Sequence, residues 1–484
     1  MRLPDPRPLD PSAIRAIMAG ILLAMFLSAL EQTIVGPALP TIGRSLQNVE
    51  SLSWVVTAYL LACTAVTPLF GKLSDIYGRR VIMLISIAIF QVGSVACALA
   101  PNMYLLIAAR TLQGIGGGGI LPLAHTIIGD MVPPRERARY QAYTAMMFMA
   151  ASITGPVLGG ALTEYVHWTF VFWINLPIGL VAMVIASRAL RNLPRNERPH
   201  SLDFLGATLL VGAALSLMLA ITWGGTQYPW MSWRIMSLLA VSLVLWFAFA
   251  VRLRAAPEPF IPLAVLCDSV VASISVLGFF SVGVVIGLSI YLPVYLETVL
   301  GFSPSGSGAA MIVFLAAATI GSYIAGHLLM WMAHYKRISM VGLILGIAVL
   351  AIFAAKPSGL ILWEVTGLLA VGGTGLGMMY PITTVIIQNA VAPHQLGTAT
   401  GTLNFSRLLG GAITVAAFGA ILIGGVGGQG LTLDMLTAGG LARAHASLAD
   451  QFRWVFAAGA MFLIAGLVAL FVIEERPLRG PSQF

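Results

Sequence analysis

The sequence predicts an all-α integral membrane protein with two six-helix bundles and two inserted helices, which makes fourteen transmembrane helices. The first observation is composition: 58% of the 484 residues are hydrophobic and 9% are charged. About a quarter of the residues of a soluble domain are charged, so this chain has too few polar groups to cover a surface in water. The second is the recurrence of apolar segments of membrane-spanning length, and the third is a strong asymmetry of basic residues between alternate loops.

The apolar segments are long enough to cross about 30 Å of hydrocarbon as helices. The first is too long for the core of a signal peptide and lacks a clear small-residue cleavage site, so we expect it to be retained. In chain order the predicted spans are 16–39, 52–71, 81–100, 103–129, 139–162, 169–188, 204–223, 234–252, 269–296, 305–331, 338–355, 360–388, 396–424 and 452–473.

The charge distribution supports this count and gives an orientation. If the amino terminus lies in the cytoplasm, nineteen of the 26 lysines and arginines fall in cytoplasmic segments, and a miscounted helix would invert every later loop. We therefore expect both termini in the cytoplasm and a location in the cytoplasmic (inner) membrane, in contact with membrane lipids. The net charge of +8 lies in these short loops, so no nucleic-acid partner is expected. The predicted cytoplasmic bases are Arg2, Arg7, Arg15, Lys72, Arg79, Arg80, Arg135, Arg137, Arg139, Arg188, Arg191, Arg195, Arg198, Arg252, Arg254, Lys336, Arg337, Arg476 and Arg479.

Two polar segments suggest where the bundles are joined. The linkers 191–200 and 252–262 flank spans seven and eight, so we predict an amino-terminal bundle at 1–190, a linker with two inserted helices at 191–262 and a carboxy-terminal bundle at 263–484. The segment 326–337 lies in the loop equivalent to 71–81 and is a degenerate copy of it. Transporters are commonly built from such repeats, with the substrate site near the midplane between them.

The segment 71–81 between spans two and three concentrates glycines and charges. It resembles the signature loop of the major facilitator superfamily, Gly-x-x-x-Asp-(Arg/Lys)-x-Gly-Arg-(Arg/Lys), although Ile76 stands where that family prefers a base. The resemblance implies the major facilitator fold and a cytoplasmic gate. Asp130, after span four, is either a partner of the gate arginines or a solvated loop acid. The predicted gate residues are Gly71, Asp75, Gly78, Arg79, Arg80 and Asp130.

Glu31 lies well inside the first span. An ionised acid at the bilayer centre costs at least about 2.5 kcal/mol, so such a group is normally protonated, paired or facing water. It is therefore a candidate proton carrier, or else a structural hydrogen-bonding group. The surrounding segment 30–40 is similar to the first-helix motif Leu-Asp-x-Thr-Ile-Val-x-x-Ala-Leu-Pro of the fourteen-helix drug:proton antiporters, with glutamate in place of aspartate.

Arg110 lies inside span four, toward the same outer half as Glu31, so the two side chains could meet. Its Arg-x-x-Gln-Gly element resembles the fourth-helix motif of the superfamily, which implies a part in proton coupling. A static ion pair, or an arginine that snorkels to the outer interface, is the alternative.

Span five carries a segment that combines a helix-kinking proline with small residues. It resembles the Gly-Pro-x-x-Gly-Gly motif of drug exporters, which implies export rather than import. Its residues are Gly155, Pro156, Gly159 and Gly160.

Several polar residues have more open roles. Glu297, at the end of span nine, is either a second proton site or an interfacial acid, and Glu364 is more typical of an interface residue. Arg407 lies in span thirteen in a segment that resembles the family's thirteenth-helix element, and its role is open. His125 could titrate near neutral pH or be a hydrogen-bonded structural histidine.

A pocket for varied apolar compounds needs aromatic and adaptable side chains. Each candidate could equally be ordinary packing or an interface anchor. The candidate substrate-binding residues are Trp54, Tyr59, Met146, Met147, Phe172, Trp173, Asn175, Tyr291, Tyr295 and Tyr380.

The sequence contains no phosphate-binding Gly-x-x-x-x-Gly-Lys-(Ser/Thr) loop and no clustered catalytic set, so ATP is not the expected energy source and an enzyme is not expected. The glycine run 114–119 is better explained by close helix packing, and the three cysteines have no metal-ligand spacing. We therefore expect no cofactor and no metal.

The favoured function is proton-driven antiport of lipophilic, cationic compounds, with an unknown accessory partner left open. A dedicated exporter of a lipid, siderophore or metabolite remains an alternative, as does a non-transporting scaffold.

Overall fold

The computed structural model describes residues 11–48, 51–132, 134–192, 203–225, 227–331, 335–426 and 438–476. Its regular structure is helical, which confirms the all-α prediction. The first half contains α1 (Pro11–Ser45), α2 (Leu52–Tyr77), α3 (Arg79–Ala98), α4 (Met103–Met131), α5 (Pro134–Tyr165), α6 (Phe170–Trp173), α7 (Asn175–Ala189), α8 (Phe204–Trp223) and α9 (Trp233–Ala255). The second half contains α10 (Leu263–Leu266), α11 (Ser269–Thr298), α12 (Pro304–Trp331), α13 (Tyr335–Ala355), α14 (Leu362–Ala390), α15 (Leu396–Val426) and α16 (Ala438–Val472).

Every predicted span corresponds to a helix, with α6 and α7 together forming the sixth. Within the described residues, thirteen helical segments are long and apolar enough to cross a membrane. The remaining long helix is α4, whose 29 residues include a run of glycines and several polar side chains. The protein is therefore a multi-pass membrane protein, as predicted.

Several helices extend beyond their predicted spans, and two of these extensions change a segment that was expected to be a loop. The segment expected to form the loop after span two is helical as far as Tyr77, and a single residue, Gly78, separates α2 from α3. Gly78 has φ 91° and ψ 147°, a combination that is essentially restricted to glycine, and this explains so sharp a break. At the other end, α16 begins at Ala438, inside the segment 425–451 that separates the last two predicted spans, and residues 427–437 of it lie outside the described ranges.

The chain divides into two compact units, which are described separately. The first comprises Met1–Pro133, Met146–Ser201 and Ala392–Gly401. In this unit α4 packs between α2 and α3 because its glycines permit close approach. A Cβ atom on Gly114 or Gly118 would overlap the α2 backbone, and one on Gly116 would overlap the α3 backbone. The predicted packing role of the glycine run is thus confirmed.

The second unit comprises Pro134–Ala145, Leu202–Val391 and Thr402–Phe484. Here α12 and α13 pack on α14, α16 packs on α11 and α13, and α8 pairs with α9. Glycines again set the closest approaches: a Cβ atom on Gly377 of α14 would overlap the backbone of α12 at Ala318. The predicted boundaries of the two bundles, at residues 190 and 262, were placed from the polar linkers and the repeat in the sequence. They stay a prediction. The linker residues 193–200 lie outside the described ranges.

Candidate functional site

A buried ion pair occupies the interior of the first unit. Glu31, on α1, is 0% exposed and Arg110, on α4, is 1% exposed. Nη1 of Arg110 donates to Oε1 of Glu31, so the contact that the sequence left open is made. Burial of either charge alone in this apolar surrounding would be costly, and the pair compensates both charges.

The second carboxylate oxygen of Glu31 is bound by Asn175. Its Nδ2 donates to Oε2 of Glu31, and the residue is the first of α7, directly after the short helix α6. Asn175 was predicted to line a substrate pocket. Its place beside the carboxylate indicates instead that it holds the proton-carrying candidate, and its contact with any substrate stays a prediction.

Arg110 is held by more than its carboxylate partner. Its Nε donates to the carbonyl oxygen of Val55 at 2.8 Å, and its Nη1 also donates to Oε1 of Gln113 at 2.6 Å. The guanidinium carbon lies 4.4 Å from the centroid of the Tyr59 ring and 5.8 Å from that of Phe172, within range of cation–π attraction. Two predicted pocket residues, Tyr59 and Phe172, therefore contact Arg110.

Gln113 and Ser94 complete this cluster; Gln113 is the glutamine of the Arg-x-x-Gln-Gly element, whereas Ser94 was not singled out from the sequence. Nε2 of Gln113 donates to Oγ of Ser94 at 2.8 Å, and Oγ of Ser94 donates to the carbonyl oxygen of Phe90 at 3.0 Å. A signal for Gln113 existed in the sequence: it lies three residues after Arg110, a spacing that places two side chains on one helical face. Ser94 carries no such signal because it lies on another helix.

A second charge cluster lies where α2 meets α3. Asp75 and Asp130 both bind the guanidinium of Arg79: Nη1 donates to Oδ1 of Asp75, and Nε donates to Oδ2 of Asp130 at 2.7 Å. Asp130 is thus the partner of Arg79, one of the predicted gate residues, rather than a solvated loop acid. Arg80 instead donates from Nε to the carbonyl oxygen of Ser187 at 3.0 Å.

Asp75 also binds the start of α15. The backbone N–H groups of Gly397 and Thr398 donate to its two oxygens at 3.0 and 2.7 Å, and Oγ1 of Thr398 donates to Oδ2. A carboxylate at a helix N-terminus satisfies free N–H groups and is attracted by the helix dipole. Gly71 contacts the same segment, since a Cβ atom there would overlap the carbonyl oxygen of Gly397.

The segment 155–160 of α5 lies against α1. A Cβ atom on Gly155 would overlap Oγ1 of Thr33, and one on Gly159 would overlap the carbonyl oxygen of Ile34, whereas Gly160 has open space around it. Oγ1 of Thr33 donates to the carbonyl oxygen of Ala151 at 3.0 Å. The motif therefore brings the α5 backbone close to the part of α1 that carries Glu31.

The weaker candidates lie elsewhere. Glu297 is exposed in the last turn of α11, and Glu364 is exposed in the first turn of α14, where Oε2 accepts from the N–H of Ile361. His125 is buried in α4. A second proton site at Glu297 stays a prediction.

The remaining predicted pocket residues divide between the two units. Trp54, Met147 and Trp173 are half-buried in the first unit, and Met146 is exposed. In the second, the Tyr295 hydroxyl donates to the Pro357 carbonyl at 2.9 Å and its ring packs in an aromatic cluster, as ordinary packing would have it. Tyr291 donates to the carbonyl of Val415 at 3.1 Å, and Tyr380 lies beneath the guanidinium of Arg407.

Comparison with known proteins identifies the chain's relatives. A model of the Major Facilitator Superfamily matches residues 21–208 and 202–415. The chain is 33% identical to "Multidrug transporter protein MdtP" of Bacillus subtilis over 409 residues, which covers 84% of this chain and 75% of that protein. It is 32% identical to "Multidrug resistance protein 3" of Bacillus subtilis over 411 residues, which covers 85% and 80%.

A solved structure supports the fold. The proton:xylose symporter XylE superposes with a TM-score of 0.63 at 13% identity, and the match covers 97% of this chain and 98% of the symporter. At this identity the likeness shows the fold alone, which is the two-domain fold that the sequence resemblance implied. Proteins of this family and fold are transporters rather than enzymes, as the absence of a catalytic set in the sequence predicted. The chain belongs to the major facilitator superfamily.

Proposed function

We propose that this protein is a proton-coupled antiporter that exports lipophilic, cationic compounds from the cytoplasm across the cytoplasmic membrane by alternating access. The observation that carries the proposal is the carboxylate of Glu31, wholly buried and held by Arg110 and Asn175. The names of two relatives as multidrug proteins support drugs as the substrate class. No cofactor is required, because the proton gradient supplies the energy.

Glu31 is suited to exchange a proton because its two states are stabilised by different surroundings. The ionised form is stabilised by the Arg110 guanidinium and the Asn175 amide, whereas burial favours the neutral form. Protonation would remove the ion pair and leave Arg110 with its neutral partners, the Val55 carbonyl, the Gln113 amide oxygen and the Tyr59 ring. The helices that carry these groups, α1, α2, α4 and α7, would then be free to rearrange.

The cluster around Asp75 is suited to hold one state of the transport cycle. Asp75 joins Arg79 to the start of α15, so breaking its bonds would release that helix end. The segment 155–160 would transmit movement of α1 to α5, since the two backbones are in close contact. One proton that moves inward through 100 mV supplies about 2.3 kcal/mol, enough for a gradient of some tens-fold if each cycle carries one charge.

The test is ethidium accumulation in energised inverted vesicles, in which export from the cytoplasmic face is inward, with the native protein compared with Glu31→Gln. We expect proton-gradient-dependent transport that the variant loses, because glutamine keeps the shape but cannot exchange a proton. Glu364→Gln is the matched control, since it neutralises an exposed glutamate at a helix start. Transport retained by Glu31→Gln would contradict Glu31 as the proton carrier. Absence of transport by well-expressed native protein would contradict drug export and favour a dedicated exporter.

A further inference from the structure

The second unit contains a buried arginine that the proposed mechanism does not use. Arg407 lies about a third of the way along α15, is 2% exposed and is surrounded by apolar helices. A charge in such a position is costly and in membrane proteins usually marks a substrate or ion pathway.

All hydrogen-bond partners of Arg407 in the described ranges are neutral. Nη1 donates to Oδ1 of Asn404 at 3.2 Å, and Nη2 donates to the carbonyl oxygen of Tyr380 and to Oγ1 of Thr383 and Thr384 at 2.9, 2.5 and 2.9 Å. The guanidinium carbon lies 4.0 Å from the centroid of the Tyr380 ring. These groups solvate the positive charge without neutralising it.

The buried arginines of the first unit differ in this respect. Arg110 has Glu31, and Arg79 has both Asp75 and Asp130. Arg407 has no carboxylate within 4 Å among the residues that the structure describes. Because a buried guanidinium is most stable with a hydrogen-bonded anion, the missing charge is one that a ligand can supply.

One donor of this guanidinium also remains unused. Nε of Arg407 is buried and has no hydrogen-bond partner among the described residues. This Nε lies beside Gly278 of α11. A Cβ atom on Gly278 would be 3.7 Å from Nε and 3.4 Å from Cγ of Arg407. Gly278 places no side chain of its own against this edge of the guanidinium, and Cδ1 of Leu403 would lie 2.9 Å from a Cβ atom there.

We propose that Arg407 binds the carboxylate of a transported compound, so that the substrates include lipophilic anions and zwitterions as well as cations. The inference rests on the proposed export function and names a substrate class for it. Arginine suits this role because its planar donors match the two oxygens of a carboxylate and its charge persists at every physiological pH. Asn404, Thr383 and Thr384 are positioning residues, since they fix the orientation of the guanidinium.

The test measures ligand binding to the full-length protein in lipid nanodiscs. The probes are norfloxacin and deoxycholate, each beside its methyl ester, and ethidium as a cation without a carboxylate. We expect the native protein to bind each acid more tightly than its ester. Arg407→Gln should weaken binding of the acids about 10-fold, the effect of one lost charge-assisted hydrogen bond, and leave the esters and ethidium within about twofold. Arg407→Lys should lie between the two.

Arg252→Gln is the matched control, because it removes a partly exposed arginine that is paired with Asp203 in the same unit. Equal binding of acid and ester by the native protein would overturn the proposal. So would an equal loss of acids, esters and ethidium in Arg407→Gln, which would assign Arg407 a purely structural role. Retention of acid binding by Arg407→Lys alone would support a charge requirement and exclude misfolding as the cause. Ethidium efflux by the native protein tests the export function separately.

Discussion

Two side chains hold Glu31 directly and a third holds its arginine partner, which sets Glu31 apart from a surface acid. Arg110 contributes charge, Asn175 contributes a neutral hydrogen bond, and Gln113 fixes the guanidinium from the following turn of α4. Since each residue is almost fully buried, none of these contacts is exchanged with water at low cost. The stability of the pair and the proton exchange proposed for Glu31 therefore depend on the same atoms.

Because of this dependence, we expect the losses of stability caused by substituting Glu31 and Arg110 to be strongly non-additive. Arg110→Gln alone leaves a buried carboxylate without its cation, so we expect a loss of about 3–5 kcal/mol in stability. The double variant Glu31→Gln/Arg110→Gln buries no charge and should lose clearly less than the single Arg110→Gln variant. Thermal unfolding of the purified protein in detergent measures both. Additive losses would show that the two side chains are not energetically coupled.

The sequence predicted the principal residues of this cluster but not their full surroundings. Glu31 and Arg110 are recognisable because a charge in an apolar span is conspicuous. The role of Asn175 as a partner of Glu31 is not recognisable in this way, because 144 residues separate the two and no periodicity relates them. Its amide looks as suitable for a pocket wall as for a carboxylate partner. The packing of α7 against α1 reveals the bond to the carboxylate, and contact of Asn175 with a substrate stays a prediction.

At the scale of helices, the close contact of α5 with α1 depends on the absence of side chains. Gly159 leaves no room for a Cβ atom against the Ile34 carbonyl, whereas Gly160, the next residue, has nothing within 4 Å of that position. The backbone of Ile34 lies less than one helical turn from Glu31. A displacement of α1 at this contact would therefore shift the carboxylate away from Arg110 and Asn175.

The adjacent glycines provide a matched pair of variants. We expect Gly159→Ala to lower stability by about 1–3 kcal/mol through overpacking, and to reduce gradient-dependent efflux because α1 is displaced. Gly160→Ala shares the favourable effect of alanine on helix formation and should remain within about twofold of native transport. Ethidium efflux and thermal unfolding distinguish them. Equal behaviour of both variants would mean that the close approach of α5 to α1 has no part in transport.

Helix boundaries show where hydropathy stops being informative. The spans were predictable because lipid demands about twenty apolar residues per helix. The polar turn 72–77 was expected to be a loop, yet it continues α2, since hydrogen bonding along a helix does not depend on side-chain polarity. Gly78 ends it through backbone conformation alone, and φ is not readable from a hydropathy pattern. In the same way, α16 begins at Ala438 because polar residues can continue the hydrogen bonding of a helix beyond its apolar part.

At the scale of the whole molecule, the distribution of basic residues was the strongest sequence evidence. Fourteen crossings place nineteen of the 26 lysines and arginines on one side. The count agrees with the thirteen apolar helical segments of the described ranges together with α4. The compact units, in contrast, were less predictable, because α5 and α15 each contribute residues to both. Such a division depends on which helices pack together within each unit. Helices far apart in sequence can pack together, and neither charge nor hydropathy indicates which ones do.

The crossing count yields a topology prediction that truncated fusions can test. Alkaline phosphatase is active only outside the cytoplasm and green fluorescent protein fluoresces only inside, so each junction should favour one reporter. We expect phosphatase activity after Pro229 and Gly430, and fluorescence after Met332 and at the carboxy terminus after Phe484. Because the sides must alternate, a single extra or missing crossing would invert every later junction. Fluorescence after Gly430 together with phosphatase activity after Phe484 would contradict fourteen spans with both ends in the cytoplasm.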